Sequence, residues 1–194
     1  MEKLLPVIIG ATVGAIATAI GWFVTDRLYY RRLRKEATLR HLESQIKELY
    51  GPLLGLIQYS SNVYNVVATI LPSVDNKQQR TDPSRFSDEH WEAWRFICES
   101  YFHPINAEVR NLISSKMHLL ESDPRPQSFD AFFQHVAHFE CRYKLWKEKE
   151  IDTSYMSGPA YPRTFESDVA NALARLREQY QNCLRSLGVS NDTI

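Results

Sequence analysis

The sequence predicts an all-α protein, with an N-terminal transmembrane helix followed by a cytoplasmic antiparallel bundle of about four long helices. Three observations predict it. Residues Leu4 to Thr25 carry no charge, and the cations Arg27, Arg31, Arg32, Arg34, Lys35 and Arg40 follow closely. Beyond them, apolar residues recur at three-four spacing in long stretches separated by polar, proline-containing segments. No stretch alternates apolar and polar residues between hairpin turns, so no sheet is expected.

The uncharged stretch is 22 residues long. As a helix it reaches roughly 33 Å, enough for a hydrocarbon core of about 30 Å. Lys3 precedes it and six Lys/Arg follow it up to residue 40. The positive-inside rule therefore orients it with the N-terminus outside and the C-terminal domain in the cytoplasm, as a single-pass signal anchor of the inner (plasma) membrane. Ala17-Thr18-Ala19 resembles a cleavage site, but Ile20, Trp22, Phe23 and Val24 extend the apolar run past it and the basic block suits a stop-transfer segment. Trp22, Tyr29 and Tyr30 fall at interfacial depth, and Arg27, Arg31, Arg32, Arg34 and Lys35 are the expected membrane-surface contacts. Gly10, Gly14, Ala17 and Gly21 form one stripe of small residues, a face on which two such helices can pack.

After the collar, Leu39, Leu42, Ile46 and Leu49 predict a helix to about Tyr50, with a kink or break at Gly51-Pro52. Leu53 to Leu71 carry the pattern onward. Ser87 is placed to cap a helix bearing Trp91, Trp94, Ile97, Cys98 and Tyr101 on one face, with a second kink at His103-Pro104. Ser128 is placed to cap a helix whose apolar face includes Phe129, Phe132, Phe133 and Val136. Thr164 opens the last helix, and Gly188 is suited to end it. The expected organisation is an anchor at 1–26, a basic juxtamembrane and connecting helix at 27–50, a helical bundle at 51–188 with loops near 72–87, 121–127 and 150–163, and a flexible tail at 189–194.

Charge is balanced, with 23 basic and 23 acidic residues. Without its basic collar the domain is mildly acidic, so no nucleic-acid partner is expected. Cys98, Cys141 and Cys183 are odd in number and widely spaced, which suits a reducing compartment. His135 and His138 stand three residues apart, but the HExxH pattern and a nearby third ligand are missing, so no metal is assigned. No phosphate loop, nucleophile elbow or Cys/His dyad is present, so no catalytic residue, cofactor or enzymatic activity is expected. Aromatic residues make up 12% of the chain. They fill a bundle core, or alternatively wall a pocket that stacks a planar ligand. The candidate ligand or partner face is Trp91, Trp94, Arg95, Arg142 and Trp146, with Arg110 and Lys116 as further phosphate contacts.

Glu48-Leu49-Tyr50-Gly51-Pro52-Leu53, the run from Trp94 to Pro104, Lys116 to Leu120, Pro126 to His135 and Tyr161-Pro162 together form a pattern. In these residues the chain resembles a group of bacterial membrane-anchored helical proteins. The resemblance implies a bacterial inner membrane and a helical domain, and no activity. The expected function is a membrane-tethered interaction or sensing module, with the lipid membrane and an unidentified protein or small ligand as partners. The alternative is a membrane-acting stress or phage-defence effector whose transmembrane helices self-associate to perturb the membrane.

Overall fold

The computed structural model describes residues 5–71, 74–75, 80–81, 86–121, 124–151, 153 and 158–188, with 5–17, 19, 74–75 and 80–81 described by backbone alone. Most of the 72–87 loop, the tail 189–194 and the surroundings of Gly10, Gly14 and Ala17 lie outside the described side chains. The described residues are almost entirely helical. The helices are α1 (Leu5–Ser44), α2 (Gly51–Ile70), α3 (Asp88–Ile97), α4 (His103–Ser115), α5 (Gln127–Lys149) and α6 (Phe165–Ser186). The described strand structure is one short antiparallel ladder, β1 (Val74–Asp75) with β2 (Arg80–Thr81), inside the polar segment expected to be a loop. Among the described residues, no helix is long and apolar enough to cross a membrane.

The chain forms two units, Met1–Leu42 with Gln179–Ile194, and Glu43–Glu178. In the first, Lys35 Nζ donates to the Ser186 carbonyl at 3.1 Å, and Cys183 Sγ lies 3.5 Å from the Lys35 carbonyl. Lys35 thus supplies a cation at the C-terminal end of α6, where the helix dipole favours one. Arg32 pairs with Glu36 at 2.9 Å one turn on, and Arg27, Arg31 and Arg34 are exposed. Gly21 has open space where a side chain would stand.

In the second unit, both prolines expected to kink a helix are preceded by a π-turn, Gln45–Tyr50 before Pro52 and Cys98–Phe102 before Pro104. Proline lacks an N–H, and its ring collides with the carbonyl four residues back in a regular α-helix. Widening the preceding turn moves that carbonyl aside. Gly51 N–H accordingly donates to Ile46 O and His103 N–H to Cys98 O, each five residues back. The helix therefore continues through each proline and does not break there. The helical stretches are then α2, α3 joined to α4, α5 and α6.

The π-turns also change which residues face inward. Trp94, Cys98, Phe102 and Asn106 recur every fourth residue, a spacing that drifts by about 40° per step in a regular α-helix. The wider turn absorbs that drift. Phe102 is consequently buried at 9% exposure, whereas Tyr101, the residue that α-helical spacing places below Trp94, is 40% exposed. Around the first π-turn, Gln45, Leu49 and Tyr50 are buried. Gln45 Nε2 donates to the Leu119 carbonyl at 3.0 Å, and the Tyr50 hydroxyl accepts from Glu121 N–H at 3.0 Å. Both contacts tie α2's entry to the turn after α4.

α2 packs against α4, and α4 against α5. Val67, Leu71, Ile97, Cys98 and Phe102 form one buried cluster. Phe165, on α6, stacks on Phe132 at 4.7 Å and meets Phe129 edge-on at 5.1 Å, which joins the last helix to α5. Each large side chain so buried contributes about 1.5–3 kcal/mol. Ser87 caps α3, accepting from His90 N–H while Ser87 N–H donates to His90 Nδ1 at 3.2 Å. Ser128 does not cap α5. The helix begins at Gln127 after Pro126, which leaves Ser128 inside the first turn with its hydroxyl buried.

A Cβ on Gly51 would sit 2.7 Å from the Ile46 carbonyl oxygen, whereas one on Gly55 would meet nothing within 4 Å. Gly51→Ala is therefore expected to destabilise the chain by about 1–3 kcal/mol, and Gly55→Ala to stabilise it by about 0.5–1 kcal/mol. Urea denaturation of the two variants checks this. Equal effects at the two positions would rule out the close approach at Gly51.

Candidate functional site

A cavity of about 210 Å³ lies within the second unit. α2 contributes Ser60, Ser61 and Tyr64, and the α3–α4 stretch contributes Trp94, Phe102 and Asn106. α5 supplies His135 and Phe139, and Ala160 with Tyr161 close it from the segment before α6. The π-turn before Pro104 is what puts Trp94, Phe102 and Asn106 on one face. Trp94 and Phe102 have ring centroids 5.9 Å apart, and Tyr64 and Phe102 6.2 Å apart, so the wall is a set of tilted aromatic faces.

The polar groups are few and differ in their state. Asn106 is 6% exposed and lines the cavity, and its amide is not among the side-chain atoms sealed from solvent without a partner, so it opens onto the cavity. An amide left dry and unpaired would cost about 1–3 kcal/mol, so at the cavity wall this one bonds whatever fills the cavity, solvent or a ligand. His135 Nδ1 lies 2.9 Å from the Pro159 carbonyl. A carbonyl can only accept, so Nδ1 carries the proton and Nε2 keeps a free lone pair. Burial holds the His135 imidazolium below the usual histidine range, despite the Pro159 bond. Ser61 donates to Glu166 at 3.0 Å. Burial, with Glu166 nearby, raises the Tyr161 phenol well above its ordinary range and keeps it neutral.

The histidine pair on α5 holds the segment before α6. His138 packs so closely on Gly158 that a Cβ there would overlap its ring, and His135 stacks edge-on with Tyr161 at 5.5 Å. Among the described residues no group of His, Cys, Asp and Glu is arranged to hold a metal ion.

The residues singled out in the sequence do not converge on one face. Trp94 lines the cavity. Trp91 meets Phe86 edge-on at 5.3 Å, and Arg95 lies over the Trp146 ring at 4.8 Å. Arg142 donates to the Thr153 carbonyl at 2.9 Å, Arg110 pairs with Glu140 at 2.5 Å, and Lys116 pairs with Glu48 at 2.6 Å. Each of these cations has a partner inside the protein, and none of them lines the cavity. Asn106 and His135 were not among the expected ligand residues. Asn106 follows Phe102 by four residues, but that spacing acquires meaning only once the π-turn is known.

No family model, curated protein or solved structure matches this chain.

Two outcomes follow from this geometry. Asn106→Leu, which keeps the branching of the side chain, is expected to hold or raise stability, by up to about 1 kcal/mol in urea denaturation, because no fastening bond within the fold is removed. A clear loss of stability would mean that the amide has a structural partner. For His135, the folded state disfavours the proton that the unfolded state takes up near pH 6.5. Its contribution to stability is thus complete above about pH 6.5 and declines as pH falls toward the lowered folded value, by at most about 1.4 kcal/mol per pH unit. His135→Gln is expected to flatten stability between pH 7 and 5.5, with His103, also lowered by burial, keeping some slope. An unchanged slope would exclude His135 as a contributor.

Proposed function

We propose that the protein is a single-pass membrane-tethered sensing module whose helical domain lies in the cytoplasm and takes a small ligand in the aromatic cavity. The observation that carries the tether is the exposed apolar surface of α1. Ile20, Phe23 and Val24 are 49–59% exposed and Trp22 is 74% exposed, directly ahead of Arg27 and Arg31. Apolar side chains displayed together in this way favour lipid or a protein partner over water. Leu28, Tyr29 and Tyr30, also exposed, supply the apolar and amphipathic rings suited to an interface beside cationic residues. The backbone of α1 is helical from Leu5, so the uncharged stretch has the conformation that a bilayer requires. The sensing half of the proposal is supported by the cavity, whose Asn106 amide and neutral His135 give a ligand something to bond.

Alkaline carbonate extraction of membranes is expected to leave the full chain in the pellet and to release a chain lacking residues 1–26. Cys141 is exposed, so a membrane-impermeant maleimide should label it only after the cells are lysed. Release of the full chain by carbonate would remove the anchor, and labelling in intact spheroplasts would reverse the orientation.

A further inference from the structure

We propose that the cavity binds an uncharged planar nitrogen heterocycle of nucleobase size, held between its aromatic walls and recognised along its hydrogen-bonding edge by the Asn106 amide. The inference rests on the sensing reading above and names the class of ligand. Size is the first argument. A dry cavity of about 150 Å³ accepts benzene, so the 210 Å³ here admits one or two fused rings. Shape is the second, since Tyr64, Trp94, Phe102 and Phe139 present ring faces on which a flat ligand stacks.

Charge is the third argument. Among the described lining residues there is no Lys, Arg, Asp or Glu. A phosphate would be desolvated there without a counter-ion, and a cation would lack a carboxylate wall. The cations that could have served a phosphate are paired elsewhere, Arg110 with Glu140 and Lys116 with Glu48. Hydrogen-bond chemistry is the fourth. A carboxamide offers one acceptor and an adjacent donor, the complement of the paired donor and acceptor on an aminopurine edge. His135 Nε2 is left as a lone-pair acceptor by the bond from Nδ1 to Pro159, which suits a ring N–H.

The test titrates the full chain in detergent with adenine, indole and AMP, following the heat of binding by calorimetry and thermal stability. Adenine is expected to bind saturably, with indole and AMP each about tenfold weaker or worse. Asn106→Leu should weaken adenine about tenfold or more and leave indole within about twofold. Asn106→Asp, which keeps the shape and loses the amide donor, should weaken adenine likewise. No saturable adenine binding, AMP binding as tightly as adenine, or adenine affinity unchanged in both variants would overturn the proposal. Tight indole binding that ignores Asn106 would overturn recognition along the Asn106 edge and leave the sensing reading standing, whereas silence from all three probes would count against both.

Discussion

A proline has no N–H to give, and twice in this chain that missing donor falls inside a helix that continues. The chain meets the constraint by widening the turn ahead of Pro52 and Pro104. Everything that faces inward downstream of those turns depends on the adjustment. Regular α-helical spacing would bring Tyr101 beneath Trp94, whereas the widened turn brings Phe102, and four residues later Asn106. The cavity is in this sense a product of backbone chemistry at Pro104. Gly51 belongs to the same constraint, because the Ile46 carbonyl that receives its N–H lies where a side chain would be.

Buried and half-buried polar groups in the second unit differ in what they bond. Gln45, Tyr50 and Ser61 are bonded to Leu119, Glu121 and Glu166 and act as fasteners between elements. Such bonds add modest net stability but are costly to leave unmade, so they specify how the helices meet. Asn106 is another kind, with an amide that opens onto the cavity. His135 stands between the two. One ring nitrogen fastens the segment before α6, and the other keeps its lone pair. A cavity wall that combines satisfied fasteners with an amide open to the cavity holds its shape while reserving a bonding group.

The helices were legible because their signals are local. Ser87 ahead of Asp88 and Glu89, the three-four apolar spacing and the prolines each report on a few neighbouring residues. The candidate site was much less legible. Trp91, Trp94, Arg95, Arg142 and Trp146 share the right chemistry for a ligand face, yet only Trp94 reaches the cavity. The others find partners across the fold, such as Phe86 for Trp91 and the Trp146 ring for Arg95. Ser128 shows the same limit at one helix end, since Pro126 sets the start of α5 ahead of it.

By itself the sequence determined the helical class, the approximate extent of each helix and the uncharged stretch with its basic collar. These follow from residue periodicity and from charge counted along the chain, which need no knowledge of what touches what. Tertiary structure alone decided which aromatic residues meet, which cations are neutralised and which amide opens onto the cavity. Those outcomes depend on residues far apart in sequence and on turns whose hydrogen bonds skip one residue more than usual. The step from Tyr101 to Phe102 expresses that difference: one carbonyl displaced by one proline ring turns a helix face and brings Asn106 to the cavity wall.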